Sequence, residues 1–354
     1  MNIALIVHDL HERGGHSLYT KILAEAFSRK HEVAVFANRC ERPADARWQS
    51  HHVRAWRTSA LATVQTFPIG LRSLANSLSR YQISHAQGFC GGRPNVVTAH
   101  MCAAAYLNSL RDITPQNRAS LKLMAAAEAR FYRRYKGRVI AVSQKIANEL
   151  KDLYDVNGTT KVIHHGVDVR RFNQGDREQS RTRARARLGI GEDERLALYV
   201  GDLTKAHSYL KELSAAAPDT KFVIVTPSRV YHWVRPNVQI LPTTDDLRPY
   251  YAAADAFVFP TTYDSFGMVV LEAMAAGLPV FTSDQAGAAE LIEHEVSGFV
   301  ISLDEWVAKT ADGLRDINQL RAVGVAAEKT AATHDWLSVV SAVEKVYEDV
   351  VAQE

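Results

Sequence analysis

The chain has 354 residues, which at about 150 residues per domain points to two domains. Hydrophobic residues make up 47 % and charged residues 23 %, with only 19 Gly and 11 Pro, so a disordered or collagen-like chain is excluded. Three cysteines, Cys40, Cys90 and Cys102, include no CxxC pair and cannot build a disulfide framework; reduced thiols are expected, and no structural zinc site. The opening Met1–Leu10 lacks a basic start, and its apolar run ends at His8 and Asp9, unlike a secretory leader. No stretch approaches the ~18 apolar residues of a membrane span. A cytoplasmic protein is therefore expected. The net charge of +3 hides an asymmetry. Residues 1–170 carry 24 Lys and Arg against 12 Asp and Glu, whereas the remainder carries 18 against 27. A basic first half suggests an anionic contact: a phospholipid surface, a phosphorylated acceptor or nucleic acid.

Short runs rich in Val and Ile predict strands at Ile3–Val7, Val33–Ala37, Ile83–Ala86, Val96–His100, Val139–Val142 and Lys161–His164. Between the first two, Leu18, Ile22, Leu23, Ala26 and Phe27 fall at helical spacing. Strand, helix, strand in repetition means a parallel sheet wrapped by helices. A joint is expected near Gly166–Asn173. After it come Arg177, Arg181, Arg183, Arg185 and Arg187, read as a solvated helix opening the second domain. No aromatic residues interleave with these arginines, so a single-strand nucleic-acid platform is not indicated. The rhythm restarts with strands at Leu196–Val200, Phe222–Val225, Val238–Leu241, Ala256–Pro260, Pro279–Ser283 and Phe299–Ile301. Helices are predicted near 207–216, 267–276 and 287–293. The final stretch, Trp336–Val351, is amphipathic and has no strand partner in sequence.

The segment from Asp255 to Glu293 is the most informative. It predicts a strand ending at Pro260, a loop through Asp264, Ser265 and Phe266, a helix from Gly267 and a stop at Gly277. Ligands of open α/β sheets bind at such carboxyl ends of strands. Asp264 or Ser265 is placed to cap the helix, leaving the backbone N–H groups of Phe266, Gly267 and Met268 for a phosphate. Glu272 lies about a turn and a half further on. On spacing alone, Asp264 could be only a cap and Glu272 only a surface glutamate.

This segment resembles the signature of glycosyltransferase family 4: Pro260 at a strand end, seven residues between the carboxylates Asp264 and Glu272, Phe266-Gly267, and Glu272-Ala-Met-Ala-Ala-Gly277-Leu-Pro279-Val. Further similarities are Gly14-Gly15 after the first strand, His100 at a strand end, Ile140-Ala-Val-Ser143-Gln, and Val162-Ile-His-His165-Gly166-Val-Asp168. The resemblance implies an α/β GT-B protein, two Rossmann-like domains facing across a cleft. Residues 1–168 would be the acceptor-binding domain and 169–335 the nucleotide-sugar-binding domain, with the last helix (336–354) packing back on the first. It implies sugar transfer from a UDP- or GDP-sugar to an acceptor hydroxyl with retention, without metal or other cofactor. Glu272 would hold the ribose hydroxyls, Asp264 the donor sugar, and Phe266, Gly267 and Met268 the sugar and diphosphate through their backbone. Gly14 and Gly15 would let the first domain approach the diphosphate, His100 would sit near the reacting sugar, and Lys205 would neutralise phosphate.

Three departures stand out. Asp264 occupies a position where the family mostly has Glu. Asp202 replaces an Arg after Gly201, with Arg229 as a substitute cation. Thr226-Pro227-Ser228 stands where a Gly-rich turn is usual. Residues Arg118 to Arg138 hold seven basic side chains against Glu128 alone, interleaved with Leu121, Leu123, Met124, Ala127 and Phe131. That pattern suggests a basic amphipathic helix on an anionic membrane, or a Rossmann helix with solvated charges. The expected partners are a nucleotide-sugar donor and a glycan or lipid-linked acceptor, as in bacterial lipopolysaccharide or surface glycan synthesis, on the inner membrane face. A weak nucleotide-sugar binder, a nucleotide-sugar epimerase and a nucleic-acid module remain as rivals.

Overall fold

The computed structural model describes residues 1–11, 14–110, 113–156, 160–172, 177–228, 233 and 235–353. They form two compact units, residues 1–165 with 336–354, and residues 166–335. The division falls at 165/166, three residues ahead of the expected 168/169.

The strands of the first unit are β1 (Asn2–Ile6), β2 (Asp9–Leu10), β3 (Glu32–Ala37), β4 (Arg39–Cys40), β5 (Gln49–His52), β6 (Ile83–Gln87), β7 (Val96–Ala99), β8 (Arg138–Ala141) and β9 (Thr160–Val162). Its helices are α1 (Gly15–Phe27), α2 (Ala60–Ser73), α3 (Ala75–Leu78), α4 (Ala103–Ser109), α5 (Pro115–Tyr132) and α6 (Gln144–Tyr154). Seven strands make one parallel sheet in the order β5-β3-β1-β6-β7-β8-β9, and β2 pairs with β4 beside it. β1 lies between β3 and β6, with Ile3 opposite Val33 and Ile83. The strand order therefore reverses between β1 and β6, which opens a crevice at their carboxyl ends. Leu5, Val35 and Ile83 are fully buried because helices cover both faces.

The second unit holds α7 (Val169–Phe172), α8 (Arg177–Leu188), α9 (His207–Ala216), α10 (Arg248–Ala253), α11 (Met268–Ala275), α12 (Leu303–Gly313) and α13 (Ile317–Ala332). Its strands are β10 (Arg195–Val200), β11 (Thr220–Thr226), β12 (Val238–Pro242), β13 (Ala256–Phe259), β14 (Val280–Ser283) and β15 (Phe299–Ile301). They form a second sheet in the order β12-β11-β10-β13-β14-β15, parallel throughout, with its own reversal between β10 and β13. The predicted strand ends shift by one to two residues. The stretch predicted as helix near 287–293 is instead a 3₁₀ turn, Gly287–Leu291, because Ala289 N bonds back only to Ala286 O.

The arginine-rich helix α8 also differs from expectation. Arg185 is fully buried, not solvated. Its guanidinium donates to the carbonyls of Gly191 and Ala253 and to Asp255. Arg181 donates to the Ala253 and Ala254 carbonyls and to Asp255 Oδ1 at 2.6 Å. The two arginines thus clamp the loop ahead of β13, a role that spacing along α8 does not reveal.

The last helix, α14 (Trp336–Val351), belongs to the first unit. Val339, Val343, Val346 and Tyr347 pack into the core with Tyr19, Leu23 and Phe27 of α1. A buried polar bridge fixes it: His85 Nδ1 lies 2.6 Å from Tyr347 Oη, and His85 Nε2 lies 2.7 Å from Thr98 Oγ1. Burial drives the His85 pKa down to about 3, so the ring is neutral and gives one donor and one acceptor.

Helix α5 begins at Pro115 with Thr114 as its cap. Its inward face is not the apolar stripe expected between Arg118 and Arg138. The buried residues are Ala125, Glu128 and Tyr132, while Leu123 is 55 % exposed. Arg130, Arg133, Arg134 and Lys136 are exposed. No helix among the described residues is long and apolar enough to cross a membrane.

Candidate functional site

In the second unit the polar residues gather at the carboxyl ends of β10 and β13, on either side of the sheet reversal. Gly201 and Asp202 follow β10 and lead into a 3₁₀ turn, Leu203–Lys205. The Asp202 side chain caps that turn, accepting from Thr204 N at 3.0 Å and from Ser228 Oγ at 2.8 Å. Partial burial works against the Asp202 carboxylate, but these hydrogen bonds and the nearby Lys205 outweigh it and hold its pKa below the usual value. Asp202 therefore serves as a structural clasp between the β10 and β11 loops. Arg229, the suggested substitute cation, lies outside the described residues.

Lys205 Nζ lies 3.6 Å from Asp264 Oδ2, with both side chains about one-quarter exposed. The Lys205 carbonyl accepts from Thr262 N at 3.1 Å, which ties the β10 loop to the β13 loop. Asp264 is not the helix cap. Its Oδ1 accepts from Phe266 N at 3.2 Å, so that N–H is engaged. The Asp264 backbone pairs with Gln285 and Gly287, which fixes the loop against the strand that follows. Gly267 is the cap residue of α11, with φ 89° and no side-chain cap bond. A side chain there would be strained, and its Cβ would press on Phe259 at 3.4 Å. The start of α11 at Met268 is consequently an uncapped helix end of positive polarity beside Lys205 and Asp264.

Glu272 lies one turn along α11. Its Oε2 accepts from the Tyr251 hydroxyl at 2.9 Å, and Tyr251 is fully buried on α10. Glu272 keeps some exposed surface, yet enough protein surrounds it that burial raises its carboxyl to about 7. The Tyr251 bond and the positive charge of Arg171 oppose that rise. Tyr251 and Arg171 escape sequence reading because the spacing from 251 to 272 belongs to no local motif.

The first unit has a cavity of about 310 Å³ in the crevice where its sheet reverses. Its walls include His8 and Asp9 beyond β1, Gln87 at the end of β6, His100 beyond β7, His16 at the start of α1 and Glu128 of α5. Gly14 also lines it, capping α1 with φ 95°, and Gly15 opens that helix. His100 is buried, and its Nε2 lies 2.9 Å from Gln87 Oε1. The His16 ring meets it edge-on at 4.4 Å and the Tyr19 ring at 5.1 Å. Burial, with the neighbouring imidazoles His16, His165 and His85, holds the His100 pKa well below its usual value. At neutral pH the ring is uncharged.

The model of the family described as Glycosyltransferase Family 4 matches residues 13–171, and that described as Glycosyl transferases group 1 matches residues 194–319. The chain is a glycosyltransferase of the family 4 type. Among relatives of this family 4 chain, a D-inositol 3-phosphate glycosyltransferase of Salinispora arenicola is 29 % identical over 313 residues, covering 77 % of this chain and 68 % of that one. An uncharacterized glycosyltransferase of Methanocaldococcus jannaschii is 27 % identical over 336 residues, 84 % of each chain. Among solved structures, sucrose-phosphate synthase from Thermosynechococcus elongatus superposes with a TM-score of 0.82 at 19 % identity, covering both chains fully. WaaG, a glycosyltransferase involved in lipopolysaccharide biosynthesis, gives 0.81 at 21 % identity, covering 98 % of this chain and 99 % of that one. Anabaena HepE in complex with UDP-glucose gives 0.73 at 18 % identity, covering 98 % and 99 %. The family 4 fold here is GT-B, two Rossmann-like units each built on a parallel sheet.

Proposed function

We propose that this family 4 glycosyltransferase moves a sugar from a UDP- or GDP-sugar to an acceptor hydroxyl with retention of anomeric configuration and without a metal. The observation that carries the donor half is the cluster in the second unit: Lys205 and Asp264 3.6 Å apart, beside the uncapped start of α11, with Glu272 one turn beyond. In this reading Glu272 accepts from the ribose hydroxyls, because Tyr251 occupies only its Oε2. Lys205 and the N–H groups of Gly267 and Met268 neutralise the diphosphate. Asp264 has its Oδ1 on Phe266 N and its Oδ2 near Lys205, so the donor sugar hydroxyls would compete for that second oxygen. The acceptor half belongs to the first unit, with His100 and Gly14 on its cavity and Gly15 opening the helix beside it.

The reaction forms a bond from the acceptor oxygen to the anomeric carbon and breaks the bond from that carbon to the diphosphate. Attack comes on the face the nucleotide leaves, and the departing phosphate oxygen takes the acceptor proton. The neutral His100 is suited to a hydrogen bond rather than to charge stabilisation. Proton NMR of the sugar first released by slow donor hydrolysis, with EDTA present, tests this. Release in the donor's own anomeric form supports retention; the opposite anomer refutes it. Donor binding with no turnover would favour a nucleotide-sugar binder, and isomerised nucleotide sugar would favour an epimerase.

We place the enzyme in lipopolysaccharide or surface glycan synthesis at an anionic membrane. The support is the exposed basic run of Arg130, Arg133, Arg134 and Lys136 beside the exposed Leu123 of α5. Trp56 at 72 % and Ile69 at 65 % exposure add apolar anchors on and next to α2, which packs against α5.

A further inference from the structure

We infer that the cavity of the first unit takes an uncharged polyhydroxyl group, a sugar or polyol without phosphate, with Glu128 and Gln87 as the residues that select it. The inference rests on the glycosyltransferase reading and narrows its acceptor class. Glu128 is 6 % exposed and Gln87 is 3 % exposed, and both line the cavity. Glu128 Oε2 accepts both of that side chain's hydrogen bonds, from Ala103 N at 2.7 Å and from Tyr154 Oη at 2.8 Å. Its Oε1 is left to the cavity. Gln87 is complementary: its Oε1 is taken by His100 Nε2 at 2.9 Å, and its Nε2 is buried with no partner. His8 Nε2 is a second buried nitrogen without a partner on the same wall.

Buried polar atoms of this kind call for a partner. One acceptor oxygen and one amide donor on a shared wall match hydroxyl groups, which donate and accept. Phe89, also on the wall, offers a face for the C–H side of a sugar ring. Among the described residues of the wall, the charge pattern argues against phosphate. Asp9 and Glu128 bring carboxyl groups to the cavity. The imidazoles of His8 and His16 do not offset them: burial holds both to about 4, His8 with His16 nearby and despite Asp9. Burial lifts Glu128 to about 7, so near neutrality it serves either as acceptor or as donor to a hydroxyl. A phosphate dianion would meet these carboxyl groups with His8 and His16 uncharged. The relatives named for D-inositol 3-phosphate carry a phosphate in that name, and this cavity is built for the other class.

The test is ligand-observed NMR titration of the full chain with glucose, N-acetylglucosamine and myo-inositol against glucose 6-phosphate and inositol 3-phosphate. At least one neutral compound is expected to bind ten-fold or more tightly than its phosphate. Glu128→Gln should weaken that binding about ten-fold, and Asp9→Asn should narrow the discrimination at least three-fold while the melting temperature holds. Among the described residues, the Asp9 side chain takes a hydrogen bond only from Arg39 N, on an oxygen that Asn retains. Phosphates binding as well as their parents, or binding of neither class, overturns the inference. Nucleotide-sugar binding, measured on the same samples, reports separately on the donor reading.

Discussion

Replacing Tyr251 with Phe tests the proposed donor site through a fully buried residue. Tyr251, itself fully buried, gives Glu272 Oε2 a 2.9 Å hydrogen bond from its hydroxyl. Burial already raises Glu272 to about 7, and Tyr251 is the first of two influences pulling it back. Only the ionised carboxylate accepts hydrogen bonds from both ribose hydroxyls. Donor affinity should therefore rise with pH through 7 and level off above it. For a group titrating there, the ionised fraction changes roughly ten-fold between pH 6 and 8, and affinity follows it. A hydrogen bond to a charged group is worth about 1.5–3 kcal/mol. Losing the lower end of that range already moves the midpoint up by roughly one pH unit, at 1.36 kcal/mol per unit. At pH 7 the Tyr251→Phe protein should bind donor about five-fold more weakly than the parent, and near pH 8.5 the gap should shrink. Isothermal titration with a UDP- or GDP-sugar from pH 5.5 to 8.5 measures this, since the sugar-capped diphosphate does not titrate in that range. A flat pH profile, or an unmoved midpoint in Tyr251→Phe, refutes the ribose role of Glu272.

Lys205→Ala should weaken nucleotide-sugar binding by about 1–2 kcal/mol, the worth of one charge-assisted contact, and should leave nucleoside binding unchanged; calorimetry with both ligands checks it. Neutralising Arg130, Arg133 and Arg134 together should lower partitioning onto anionic vesicles by about 3 kcal/mol, at about 1 kcal/mol per charge, with donor hydrolysis unaltered. Vesicle sedimentation that shows no loss places the membrane face elsewhere. His85 has its pKa depressed to about 3, so its neutral form favours the native state above pH 6.5, and that advantage is lost as pH falls below 6.5. Denaturant unfolding should weaken by roughly 1.4 kcal/mol per pH unit below 6 on account of His85, and His85→Asn should reduce that slope by one proton. An unchanged slope contradicts the buried His85–Tyr347 bridge that holds α14.

The parallel strands were legible because burial on both faces leaves near-continuous Val and Ile runs, as in β1 and β10. β5, Gln49–His52, lies at the sheet edge with mostly exposed side chains, so it carries no apolar signal. The strand, turn and helix around Asp264 and Glu272 were readable because Gly267 and the strand–helix spacing are local features. The Asp264 bond to Phe266 N and its approach to Lys205 are contacts made by folding, and they displace it from the capping role. The same holds for the Asp202 clasp on Ser228 and the Arg185 clamp, which join positions 26 and 68 residues apart. In the first unit His100 was visible at its strand end, whereas Gln87, Glu128 and His16 reach the cavity from three separate elements. α12 and α13 carried no motif and went unread.

The most direct test of the central claim is a melting-temperature screen of the full chain against UDP- and GDP-sugars with EDTA present. Binding at 100 times Kd stabilises by about 2.7 kcal/mol, which raises the melting temperature by several degrees. One nucleotide sugar is expected to do so, and Lys205→Ala to lower the shift by roughly a third to two-thirds. No stabilisation by any member of the panel would contradict the donor site in the second unit.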